Sequence, residues 1–117
     1  MIRLEEKPFE LEGKRYLLRC NMAVLETIED KYGDMDAVMG LTVRQSALEL
    51  LTAMLNDYAE EQGWEEHWDI KQVKRRVDWA MLQELDLVGM LFRSMRSSVA
   101  KPTADNTTDS APDNLGN

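Results

Sequence analysis

Few residues in this chain are of a type and spacing that could do chemistry. His67, the only histidine, stands in the stretch QGWEEHWD (62–69) beside Glu65, Glu66 and Asp69. Carboxylates around an imidazole could supply a metal site. A lone histidine in a loop, with no second nitrogen or sulfur ligand, falls short of the usual donor sets. With one histidine, no serine or cysteine has a recognisable partnered base, and neither common Gly-rich phosphate loop is present. Cys20, the only cysteine, sits at a strand end before an apolar-faced helix and reads as a buried structural thiol. The many carboxylates fall on polar helix faces and in the loop. No catalytic residue, metal or cofactor is expected, and the chain reads as a non-enzyme. What remains is binding chemistry: a basic run, Lys71, Lys74, Arg75 and Arg76; the tryptophans Trp64, Trp68 and Trp79; and eight methionines.

The bulk properties narrow the class. At 117 residues there is room for one domain with a modest core. Apolar residues make up 44% and charged residues 31%, with a net charge of −8 and a pI near 4.6. An acidic surface argues against sequence-independent nucleic-acid binding, because phosphates are repelled, and against anionic membranes. No stretch approaches the ~20 apolar residues of a membrane span, and MIRLEEKPFE has no apolar run of a secretory signal. The expectation is a soluble cytoplasmic protein.

The elements that must position these groups follow from periodicity and caps. The central one is 42–62. Thr42 and Gln45 have the form of a capping box, and Gly63 stands where a left-handed cap is wanted. Val43, Ala47, Leu48, Leu50, Leu51, Met54, Leu55 and Tyr58 fall within roughly 160° at about 100° per residue, opposite Gln45, Glu49, Thr52, Asn56 and Glu60. Before it, Phe9, Leu11, Tyr16 and Leu18 alternate with polar residues around Glu12-Gly13-Lys14, which predicts a hairpin of 8–12 with 15–20 after a frayed 1–7. Asn21 caps a helix over 22–32 with the stripe Val24, Leu25, Ile28 and Tyr32, ended by Gly33; Asp34 caps a single turn over 35–39.

Beyond the centre, Asp69 and Gln72 form another capping-box pair before a short basic helix from Ile70 to about Val77. Asp78 caps a last helix over 79–97 whose face is Met81, Leu85, Val88, Phe92 and Met95. The whole is α+β, mainly α: an N-terminal β-hairpin (about 8–20) on a small bundle of three main helices (22–32, 42–62, 79–97) with short helical turns. Residues 1–97 form one domain, and the polar, Pro-containing stretch 98–117 is expected to be disordered.

Trp79, Leu87 and Met90 lie off the face of that last helix. With Trp64 and Trp68 they form an apolar surplus of the kind that marks an interface; the alternative is a last helix sandwiched and wholly buried, and an interface there would make self-association possible. Lys74 and Arg75 suit an acidic partner, within the chain or across subunits. The competing expectation is a small helical regulatory or nucleic-acid-binding protein that uses the basic segment 71–76.

The succession ELEGKRYLLRCN (10–21), IEDKYG (28–33), ALELLTAMLNDY (47–58) and DIKQVKRRV (69–77), followed by a last helix, resembles the tail assembly chaperones of long-tailed, siphovirus-like bacteriophages, their prophages and gene transfer agents. The resemblance covers about residues 8–97. It implies a non-catalytic helper that binds the tape-measure protein, keeps its apolar helices soluble and promotes polymerisation of the tail-tube protein. Such a protein works in the bacterial host cytoplasm and is absent from the mature virion. Acidic charge and an adaptable, Met-rich surface fit that task.

Overall fold

The computed structural model describes residues 4–99. Two antiparallel strands come first, β1 (Glu6–Leu11) and β2 (Lys14–Arg19), with Phe9 opposite Tyr16 and Leu11 opposite Lys14. The turn is two residues, Glu12 and Gly13, with φ of 50° and 82°. Positive φ at both central positions makes the primed turn whose twist matches the strands. Lys14 is already in β2, and β1 begins at Glu6, so residues 6 and 7 of the expected frayed segment are strand; residues 1–3 lie outside the described residues. Phe9, Leu11, Tyr16 and Leu18 point inward as their alternation requires.

Helices follow: α1 (Met22–Tyr32), α2 (Met35–Met39), α3 (Val43–Gln62), α4 (Ile70–Lys74), α5 (Trp79–Leu85) and α6 (Leu87–Val99). The caps fall where the residue types put them. Asn21, Asp34, Thr42, Asp69 and Asp78 each accept an N–H from the residue three positions on, which satisfies one orphan donor of each helix start. Asp69 and Gln72 close a reciprocal capping box. The pair at Thr42 is one-sided. Gln45 N–H donates to Thr42 Oγ1, but the Gln45 side-chain amide donates to the Tyr32 hydroxyl and the Glu49 carboxylate.

α3 is the hub. It touches β2, α1, α4, α5 and α6. Its buried residues include Ala47, Leu50, Leu51, Met54 and Leu55, but also Ser46, Glu49, Ala53 and Ala59. The expected 160° stripe is therefore too narrow: the middle of the helix is enclosed nearly all round, and small residues let neighbours approach. Val43, at the stripe's edge, is 62% exposed. Glu49, expected on the solvent side, is covered by α1. Lys31 Nζ stands 3.0 and 2.9 Å from its two oxygens, and the Tyr32 hydroxyl donates to it. A buried carboxylate needs such donors to offset its lost hydration.

The expected helix over 79–97 is two helices. Asp86 adopts φ 52°, ψ 50° and ends α5, its N–H donating to Leu82, while its carbonyl accepts the Met90 N–H and so opens α6. Aspartate visits the left-handed region more readily than most side chains. Its carboxylate lies over the first turn of α6, where a Cβ on Gly89 would stand only 2.6 Å from Asp86 Oδ1. The break resets the helical phase. Leu82 and Leu85 are buried from α5, and Leu87, Met90 and Leu91 from α6, while Phe92 of the expected face is 51% exposed. α6 runs to Val99, so residues 98 and 99 belong to it; the rest of the expected tail, 100–117, lies outside the described residues.

Asp86→Val is expected to destabilise the protein by about 1–2 kcal/mol, because a β-branched side chain fits poorly at positive φ. Asp86→Gly is expected to be neutral or slightly stabilising. Urea unfolding midpoints of the two variants check this; equal destabilisation by both would show that the Asp86 carboxylate, not the backbone, matters there.

Candidate partner-binding groove

The seven residues singled out for binding separate into three places. Leu87 and Met90 are each only 1% exposed and sit in the main core. They are not surface residues, because the break at Asp86 turns that side of the helix inward. They do not supply a self-association face.

Trp64 and Trp68 are half-buried and both reach Tyr16 of the hairpin, Trp64 through its ring and Trp68 through its indole N–H. Tyr16, Tyr58 and Trp64 meet edge to face, with centroids 5.5–6.0 Å apart, and Lys14 Nζ lies 4.7 Å from the Trp64 ring. The loop is pinned from below by Asn56, whose side chain accepts the Trp68 N–H at 2.7 Å and donates to the Trp68 carbonyl at 2.8 Å. The Trp68 indole N–H reaches Glu66 Oε2 at 3.0 Å and the Tyr16 hydroxyl at 3.2 Å. Tyr16 donates to Glu66, and Lys14 pairs with Glu66 at 2.6 Å. Burial alone would raise the Glu66 carboxyl, but the hydrogen bonds from Lys14, Tyr16 and Trp68 outweigh it and leave it below its usual value. Burial, then the Glu66 carboxylate, pushes the Tyr16 hydroxyl up to about 12. These tryptophans hold the hairpin to α3.

The third place is an open groove of about 530 Å³ between the start of α3, the end of α4 and α5. Trp79 and Lys74 line it, together with Arg44, Leu48, Val77, Asp78 and Leu82. Local chemistry builds it. Val73, fully buried, anchors α4; Lys71, Lys74 and Arg75 then fall within roughly 100° on its outer side. Asp78 spends a carboxylate oxygen on the Met81 N–H at 2.9 Å, which starts α5 and leaves Trp79 at its first position, 47% exposed. Leu48 and Leu82 form an apolar floor. Arg44 stands one turn before Leu48 on α3, and exposed Val43 adjoins it.

Charge is distributed unevenly around this groove. Lys14, Arg19, Lys31, Arg76 and Arg93 each pair with a carboxylate. Arg76 leaves the basic run altogether: it pairs with Glu12 at the hairpin turn and covers the Trp68 ring. Among the described residues, Arg44, Lys71, Lys74 and Arg75 make no ion pair within 4.0 Å, whether with Asp69, Asp78, Glu84 or any other carboxylate.

Arg44, Leu48, Val77 and Leu82 were not singled out for binding from the sequence. A signal for two of them existed in the i, i+4 pairing of Arg44 and Leu48 on one helix face, but only folding places that face beside α5.

Elsewhere, Cys20 is buried, and burial pushes its thiol up. His67 is exposed, and among the described residues no group of three or more His, Cys, Asp or Glu stands together as a metal site would need. No helix among the described residues is long and apolar enough to cross a membrane. The chain matches no protein-family model, no curated protein and no solved structure.

Proposed function

We propose that this protein is a non-catalytic assembly chaperone of the long-tailed phage type, which binds the tape-measure protein and promotes polymerisation of the tail-tube protein around it. The observation that supports this most is the open groove with an apolar floor and a half-exposed tryptophan at its edge. An apolar groove between helices is the surface onto which an amphipathic helix lays its apolar face, and long apolar helices are what a tape measure must keep soluble before assembly. The chain would act in the host cytoplasm and be left out of the finished virion.

The test is co-expression with a fragment of the tape-measure protein encoded in the same gene cluster. The soluble yield of the fragment is expected to rise several-fold with the wild-type chain and to fall back with Trp79→Ala. Equal insolubility with and without the chain would remove the proposal's support.

A further inference from the structure

We infer that the groove takes an acidic amphipathic helix: a partner segment with an apolar stripe flanked by Asp or Glu. The proposal rests on reading this groove as the partner-binding surface and adds the chemistry of the partner. It joins two independent observations. The first is apolar: Leu48, Val77, Trp79 and Leu82 line the groove, with room for a few side chains of an incoming helix. The second is electrostatic. In a chain of net charge −8, four cations cluster at this one place without carboxylate partners among the described residues: Arg44 and Lys74 on the groove wall, Lys71 and Arg75 beside Lys74 on the outer side of α4. Among the described residues the lining holds one carboxylate, Asp78, which accepts the Met81 backbone N–H, against two cations, Arg44 and Lys74. A cationic rim around an apolar floor complements a helix whose stripe is flanked by carboxylates and repels one flanked by lysine, so the rim sets specificity and encounter rate while the floor supplies affinity. A nucleic acid would use the same cations, but it would leave the apolar floor uncovered and approach an otherwise acidic protein.

The experiment measures the anisotropy of labelled helical peptides of about 18 residues bound to the full chain. The peptides share one leucine stripe at i, i+3, i+4 and i+7 and carry either Glu or Lys on its flanks. The Glu peptide is expected to bind at least about tenfold more tightly than the Lys peptide at about 50 mM salt, and the gap is expected to shrink at about 300 mM. Trp79→Ala should weaken the Glu peptide by about tenfold or more, and the double variant Arg44→Glu, Lys74→Glu should invert the preference. All three side chains are exposed, so circular dichroism and melting are expected to match the wild type.

Equal affinity for the two peptides, or a preference that survives the charge reversal, would overturn the proposal. So would displacement of the Glu peptide by a single-stranded oligonucleotide, or binding that appears only after residues 100–117 are removed, which would assign the groove to the chain's own terminus. A dimer broken by Trp79→Ala would assign it to a second copy and likewise overturn it. If no peptide binds while the tape-measure fragment is still held soluble, this inference falls and the chaperone function stands. If the Glu peptide binds as expected while the fragment stays insoluble, the groove chemistry holds and the tape measure is the wrong partner.

Discussion

Replacing Leu51 by alanine is expected to lower the free energy of unfolding by about 3–4 kcal/mol, the range for a leucine removed from a well-packed core. Leu51 is fully buried in the middle of α3. β2, α1, α4, α5 and α6 all rest on that helix, so the site has little freedom to collapse into the cavity. For a domain of this size the melting temperature should drop by roughly 12–25 °C. The control is Val43→Ala on the same helix. Val43 is 62% exposed, and the change should stay within about 0.5 kcal/mol. A calorimetric or urea comparison of the two decides it. A small loss at Leu51 would show that the helices do not converge on α3 as described.

The second large effect is alkaline. Burial and the neighbouring Glu66 carboxylate hold the Tyr16 hydroxyl near 12, against an ordinary value of 10.0. The native state therefore binds this proton more tightly than the unfolded chain does. The resulting stabilisation is complete below pH 10, declines as pH rises from 10 towards 12, and is gone above that. A difference of about two pKa units corresponds to about 3 kcal/mol. Tyr16→Phe removes the titrating group. At neutral pH it should cost about 1–2 kcal/mol, because Trp68 and Glu66 each lose a hydrogen-bond partner. Above pH 10 its stability should fall much less steeply than that of the wild type. Urea midpoints taken at intervals between pH 7 and about pH 11.5 give both numbers. Parallel decline of the two proteins above pH 10 would show that Tyr16 does not govern the alkaline limb. The Lys31 ammonium, raised chiefly by its hydrogen bond to Glu49, adds an alkaline loss common to both proteins.

Both effects bear on function through the same architecture. α3 is enclosed through its middle, so it gives its neighbours a rigid support, and its first turns carry Arg44 and Leu48 to the groove. The aromatic cluster occupies Trp64 and Trp68 within the fold and fixes the loop that leads into α4. From there the capped starts at Asp69 and Asp78 hold Lys74 and Trp79 at the groove. The surplus of tryptophans that suggested one interface thus divides, with two holding the hairpin to α3 and one facing the groove.

The parts of the fold that depend on neighbours in the chain were readable from the residues alone. The period-two pattern around Glu12-Gly13 places the hairpin and its buried face. Asn21, Asp34, Thr42, Asp69 and Asp78 mark their helix starts because each side chain answers an orphan donor only three residues away. Gly33 and Gly63 mark the ends of α1 and α3 through positive φ. Tertiary structure alone decided the rest. The run Met81, Leu85, Val88, Phe92 and Met95 keeps an unbroken helical spacing, so nothing local signals that Asp86 will turn left-handed; burying Leu82, Leu85, Leu87, Met90 and Leu91 together on α3 is what selects the break. Glu49 passes for a solvent residue until α1 brings Lys31 and Tyr32 onto it. The groove has no counterpart in the sequence, since Arg44 and Trp79 are 35 positions apart and meet through packing. Caps and turns are set by contacts over three or four residues, whereas helix phase, burial and concavity are set by which surfaces find each other.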